Sequence, residues 1–193
     1  MSPEEVVEEI FLCFGQHGHQ SYGEDVTEQE HALQCAYFAT KSGEPDGLIA
    51  ACLLHDIGHL LHGLGEDIAQ KGVDALHEEA GARWLAEHFS PEIVEPVRLH
   101  VTAKRYLCAR EPGYVETLSE ASRTSLALQG GPMSEEEARL FEGNPHSKWA
   151  VRLRRYDDQG KVTDFVIPPL ESYRVLLVAQ VATTSRLPEK ARP

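Results

Sequence analysis

Apolar positions recur along most of this chain with the spacing of amphipathic helices. Ser2 stands before Pro3 and three residues ahead of Glu5, a capping-box start for a first helix. Thr27 and Glu30 repeat the box and predict a helix over about residues 27–42. Asp46 precedes an apolar run that predicts a helix over about 47–61. A further helix is expected from Ala75 to Phe89, and Ser90-Pro91 opens the next. Beyond Gly130-Gly131-Pro132, the pair Ser134 and Glu137 marks a short helix. The stretch KWAVRLRRYDDQGKVTDFVIP differs: a helix or strand around 148–156 meets an Asp-Gln-Gly turn, then the β-prone run Val162 to Ile167. The pattern predicts an all-α helical bundle with room for one small β-hairpin near the C-terminus. No repeat or interdomain linker divides residues 1–193, so one domain is expected.

The apolar stripes carry polar passengers. The run CLLHDIGHLLH places His55, Asp56, His59 and His62 at the end of a core-bound segment. Burying such groups costs several kcal/mol unless each has a partner. The stripe His31, Cys35, Phe38, Ala39 follows the helical period, as do His77, Gly81, Trp84, Leu85, His88 and Ile93, Val97, His100, Val101, Lys104. One histidine on an apolar face is usually a core residue satisfied by backbone. Three such stripes plus the His55-Asp56 pair have a simpler common explanation, a metal site inside the bundle. Imidazoles with carboxylates and no thiolate suit iron, manganese, zinc or another borderline ion. His31, His55, Asp56, His77 and His100 already make five ligands, too many for one open ion and suited to two that share a bridging carboxylate. Asp56 is the natural bridge.

Composition narrows the partners. With 18 Lys and Arg against 31 Asp and Glu, the formal net charge is −13, which argues against nucleic acid. A small anion held by a few local basic groups remains compatible. The acidic start Met1-Ser2-Pro3-Glu4-Glu5 has no apolar signal region, and no apolar stretch reaches membrane-spanning length. Cys13, Cys35, Cys52 and Cys108 are scattered and read as reduced core residues of a cytoplasmic protein.

The ordered set His31, His55-Asp56, His77, His100 and Asp157, with Asp158 a one-residue competitor for the last place, resembles the HD-domain superfamily of helical metal proteins in its dinuclear form. The blocks EHALQCAYFA, AACLLHDIGH, HEEAGARWL, HVTAKRYL, LSEASRTSLALQGGPM and RRYDDQGK extend the likeness over about residues 20–160. Together they resemble the diiron oxygenases of the PhnZ type, which cleave hydroxyalkylphosphonates and are similar in architecture to myo-inositol oxygenase. The resemblance implies two iron ions as a mixed-valent Fe(II)/Fe(III) pair, O2 as co-substrate, and oxidative C–P cleavage to a carboxylic acid and phosphate. It implies that His59 and Lys104 serve catalysis and, with Ser122, Gln129 and Arg154, line the substrate pocket. Lys104 follows His100 by one helical turn on the same face, where an inward lysine either snorkels or holds an anion. Arg suits bidentate contact with phosphonate oxygens, and Arg155 is the neighbouring alternative.

One segment departs from the family pattern. The archetype has a tyrosine and a glutamate three residues apart before the first histidine ligand; here QSYGEDVTEQEH keeps Glu24 in place but puts Ser21 at the aligned tyrosine position and Tyr22 one residue later. Either Tyr22 reaches in from a shifted loop or that gate is absent. Tyr22, Glu24 and Asp25 are expected to face the nitrogen end of a zwitterionic substrate, with Lys104 and Arg154 at the phosphonate end. This favours 1-hydroxy-2-(trimethylammonio)ethylphosphonate, giving glycine betaine, over the free amine, giving glycine. A metal-dependent HD phosphohydrolase and a non-catalytic metal-binding module are the alternatives of other classes.

Overall fold

The computed structural model describes residues 1–22, 25–62 and 76–182. Among these the regular structure is helical: α1 Pro3–His17, α2 Glu28–Lys41, α3 Asp46–Leu54, α4 Ile57–His62, α5 His77–Leu85, α6 Pro91–Arg110, α7 Tyr114–Thr117, α8 Glu120–Leu128, α9 Glu135–Glu142, α10 Ser147–Gln159 and α11 Arg174–Gln180, the last preceded by a 3-10 turn at Leu170–Tyr173. Capping boxes form at Ser2/Glu5, Thr27/Glu30 and Ser134/Glu137, each with both reciprocal hydrogen bonds, so local sequence sets these starts.

Helix α3 is the centre of the bundle. Every residue from Leu48 to Leu54 is buried, as expected of a helix that is apolar all round. Helices α2, α6, α10 and α11 pack on it, and α6 also lies along α5 and α10. Val6, Val7, Ile10 and Phe14 of α1 close the core on another side. No described helix is long and apolar enough to cross a membrane.

Two expectations change. The helix over about 47–61 is broken into α3 and α4, with the turn falling on His55-Asp56. The break lets a buried carboxylate leave the helical path and face inward. The hairpin is absent among the described residues. Residues 147–159 form one helix, and the run from Val162 carries no strand. Its backbone is met by a side chain instead: the Gln34 amide donates to the Val162 carbonyl at 2.9 Å and accepts from its N–H at 3.0 Å. Asp164 is in the left-handed region at φ 56°, which interrupts an extended run. Phe165 then packs on Tyr37 and Phe38. Ala75, expected at the start of α5, lies outside the described residues.

Candidate metal centre

Five elements aim six side chains at one buried point. His31 comes from the first turn of α2, His55 and Asp56 from the α3–α4 break, His77 from the start of α5, His100 from the middle of α6 and Asp157 from α10. All six are buried except His77, which is nearly so. Backbone carbonyls fix three of the rings. Nδ1–H of His31 donates to Gly160 O at 2.8 Å, that of His55 to Cys52 O at 2.8 Å and that of His100 to Val97 O at 2.7 Å. These partners assign the tautomer and leave Nε2 as the lone-pair nitrogen. Yet Nε2 of His31 lies 3.1 Å from Nε2 of His55, and Nε2 of His77 lies 3.1 Å from Nε2 of His100. Lone pairs facing at that distance repel unless a proton or a cation stands between them.

Asp56 divides its two oxygens between the pairs. Oδ2 is 3.1 Å from His55 Nε2 and 3.5 Å from His31 Nε2; Oδ1 is 3.3 Å from His77 Nε2 and 3.4 Å from His100 Nε2. Asp157 Oδ1 adds itself to the first pair at 3.6 Å from His31 Nε2. Among the described residues Oδ1 of Asp56 is buried without a hydrogen-bond partner. Ligand atoms about 3.0–3.4 Å apart are what metal–ligand bonds of about 2.1 Å produce. The residues therefore fit two adjoining metal half-sites sharing Asp56: His31, His55 and Asp157 on one side, His77 and His100 on the other. The nitrogen and oxygen donor set suits a borderline transition ion.

Electrostatics point the same way. Burial opposes a proton on every ring. It wins at His31, held to about 4, and at His100, held to about 3. At His55 burial is outweighed by the charge and hydrogen bond of Asp56, which push it up to about 9, and His77 is raised against burial by the same carboxylate. The Asp56 carboxyl is held well below its usual range, against burial, by His55 and His77. Protons on these rings and a metal cation compete for the same atoms.

A basic wall stands beside the half-sites. Lys104 Nζ is buried and donates to Ser125 Oγ at 2.7 Å; Lys161 Nζ donates to Ser122 Oγ at 3.0 Å. Ser125 in turn donates to the Ser122 carbonyl at 3.1 Å, so two lysines grip one turn of α8. Burial, then the charge of Arg154, lowers Lys104 to about 7. The ring of Tyr22 stacks on His31 with centroids 3.7 Å apart, and its hydroxyl lies 3.5 Å from Asp157 Oδ1. His59 stacks on His77 at 4.0 Å.

The model of the HD domain matches residues 29–141. The chain belongs to the HD-domain family. It is 46% identical over 164 residues to the [1-hydroxy-2-(trimethylamino)ethyl]phosphonate dioxygenase (glycine-betaine-forming) of Leisingera caerulea, covering 84% of each chain. It is 44% identical over 175 residues to the hydroxymethylphosphonate dioxygenase of Gimesia maris, 89% of this chain and 86% of that one. An uncharacterised protein of Acanthamoeba polyphaga mimivirus is 37% identical over 182 residues, 93% of this chain and 83% of that one.

Within this HD domain the structure separates close competitors. Asp157 faces the imidazoles, whereas Asp158 pairs with Arg154 and accepts from Tyr114. Arg154 is buried and Arg155 sits at the surface with Glu111. The Arg154 guanidinium, expected at a phosphonate, donates one N–H each to Asp157 at 2.6 Å, Asp158 and the Tyr114 hydroxyl at 3.3 Å. It positions the Asp157 carboxylate. Gln129 caps the end of α8, its Oε1 buried and without a hydrogen-bond partner among the described residues. Tyr22 reaches in from the shifted loop; Asp25 is exposed, and Glu24 lies outside the described residues.

Lys161, Ser125 and Cys35 were not singled out for the site by sequence reasoning. Lys161 lies two residues past the end of α10, where helical periodicity has no hold, and its only signal was a place in the block RRYDDQGK. Cys35 Sγ lies 3.7 and 3.9 Å from the two ring nitrogens of His31. That equal distance is packing against the ring, and burial, with the Asp157 charge, keeps the group a thiol.

Proposed function

We propose that this HD-domain protein is an O2-dependent, non-heme diiron oxygenase that cleaves the C–P bond of 1-hydroxy-2-(trimethylammonio)ethylphosphonate to glycine betaine and phosphate. The observation that carries the reading is the pair of half-sites on Asp56 with two lysines beside them. The balance is simple: the hydroxyphosphonate and one O2 together contain every atom of the carboxylic acid and phosphate. His31, His55, Asp157 and one Asp56 oxygen would hold one iron; His77, His100 and the other oxygen would hold the second. Iron would supply the electron transfers that O2 requires and that redox-inert zinc does not.

The protein's own groups do the rest. Lys104 and Lys161 offer ammonium groups to the phosphonate, with Ser122 and Gln129 supplying hydrogen bonds at the same wall. An anion there would raise Lys104 from about 7 and keep it protonated. Arg154 keeps Asp157 ionised and oriented, its charge the chief influence opposing burial at that carboxylate. Tyr22 and His59, stacked on His31 and His77, shape the two ends of the opening. The 44% identity to a hydroxymethylphosphonate dioxygenase supports a second substrate of the same reaction, one without the cation.

The test is phosphate release by iron-loaded protein from the trimethylammonio compound, its free-amine analogue and hydroxymethylphosphonate. Release should need both O2 and iron and be fastest with the trimethylammonio compound. Undiminished anaerobic release from a phosphomonoester with manganese or zinc would make the protein a phosphohydrolase instead.

A further inference from the structure

Lys161 touches both the serine turn of α8 and the ring of Tyr22. Its Nζ donates to Ser122 Oγ at 3.0 Å on the anion side, and it lies 5.4 Å from the centroid of the Tyr22 ring on the other. The same ring is stacked on His31. Tyr22 therefore already has a resident cation, at a distance where cation–π attraction operates. A trimethylammonium group seeking that ring competes with Lys161 for it. A phosphonate beside Lys104 and Ser122 attracts Lys161 the opposite way. We infer that Lys161 is a positioning residue that couples the two ends of the substrate: an anion at the serine turn of α8 draws its ammonium off Tyr22 and opens the ring to the substrate's own cation. Lys161 can move because it is only partly buried and sits past the C-cap of α10, outside any helix. The consequence is selectivity for molecules that carry both charges. A cation alone meets a blocked ring, and an anion alone must pull Lys161 from its aromatic partner.

This deepens the zwitterion reading above, and its test reads binding, so its failure is separable from a failure of turnover. Tetramethylammonium serves as the cation-only probe and methylphosphonate as the anion-only probe, titrated into metal-loaded protein by calorimetry at fixed ionic strength. In the parent, saturating methylphosphonate should tighten tetramethylammonium roughly 5-fold, and the reverse by the same factor. In Lys161→Met the coupling should shrink towards the small through-space attraction between the probes. Tetramethylammonium alone should then bind more tightly than to the parent, and methylphosphonate more weakly. Lys161→Arg should restore the coupling. Tyr22→Leu gives an independent arm: with the ring gone, Lys161 is released and methylphosphonate should bind more tightly. Equal coupling in the parent and Lys161→Met, weaker binding of both probes in that variant, or unchanged methylphosphonate affinity in Tyr22→Leu would overturn the inference.

Discussion

Lys104 shows what a single residue costs the fold for the sake of the site. It is buried in α6, one turn past His100, with a serine hydroxyl as partner and Arg154 as a like-charged neighbour. Its pKa falls from 10.5 to about 7. Between those values the unfolded chain binds one more proton than the folded one, so stability drops as pH falls from about 10.5 to about 7 and the full penalty holds below that. Lys104→Met removes the penalty. It should be more stable than the parent by on the order of a few kcal/mol at pH 6 and hardly at all near pH 10, while losing methylphosphonate binding. Urea unfolding at pH 6, 8 and 10 checks the slope; a difference independent of pH would mean that Lys104 keeps its ordinary pKa in the folded protein. This residue was legible in sequence because it follows a histidine on one helical stripe. Lys161 was not, because no periodicity relates it to Ser122 or Tyr22.

At the scale of elements, the site depends on how closely α4 approaches α5. Gly58 makes that approach possible: a Cβ there would stand 2.0 Å from the His77 carbonyl oxygen and 2.8 Å from its carbon. These are backbone atoms that cannot swing aside, so Gly58→Ala must push the helices apart. Overpacking of this kind costs about 1–3 kcal/mol or more, a fall in Tm of roughly 2–10 °C for a chain of this size. Because α5 opens with His77, the variant should also lose metal from the second half-site, seen as lower metal content per chain. Retained metal at parental Tm would show that the helices yield without cost. Capped helix starts such as Thr27/Glu30 were readable because both partners lie three residues apart. The fate of Val162–Ile167 was not, since it turns on Gln34, more than a hundred positions away.

For the whole molecule, the core is built around groups that do not belong in one. Four imidazoles and two carboxylates converge where apolar side chains would otherwise pack, and the facing ring nitrogens repel one another without a proton or a cation between them. Metal binding is thus coupled to folding. Stripping metal with a chelator should lower Tm by roughly 5–10 °C, as about 2.7 kcal/mol of linkage is lost when metal had been held at a hundred times its Kd. Readdition of iron should restore it, measured by scanning calorimetry. A Tm indifferent to chelation would mean that the convergence is held by packing alone. The net charge of −13 helps here, since an acidic surface draws metal cations while the few inward basic groups keep a local welcome for an anion.

Sequence alone determined the helical class and pointed to the ordered set His31, His55, Asp56, His77, His100 and Asp157 as candidate metal ligands and to the inward lysine of α6. Each rests on residue type and short spacing, which the helical period converts directly into a shared face. Only the tertiary structure decided which oxygen of Asp56 serves which imidazole pair, that Arg154 turns to Asp157, and that Lys161 lies between Ser122 and Tyr22. Those choices depend on distances between elements far apart in the chain, and such distances are set by packing, which no local spacing encodes.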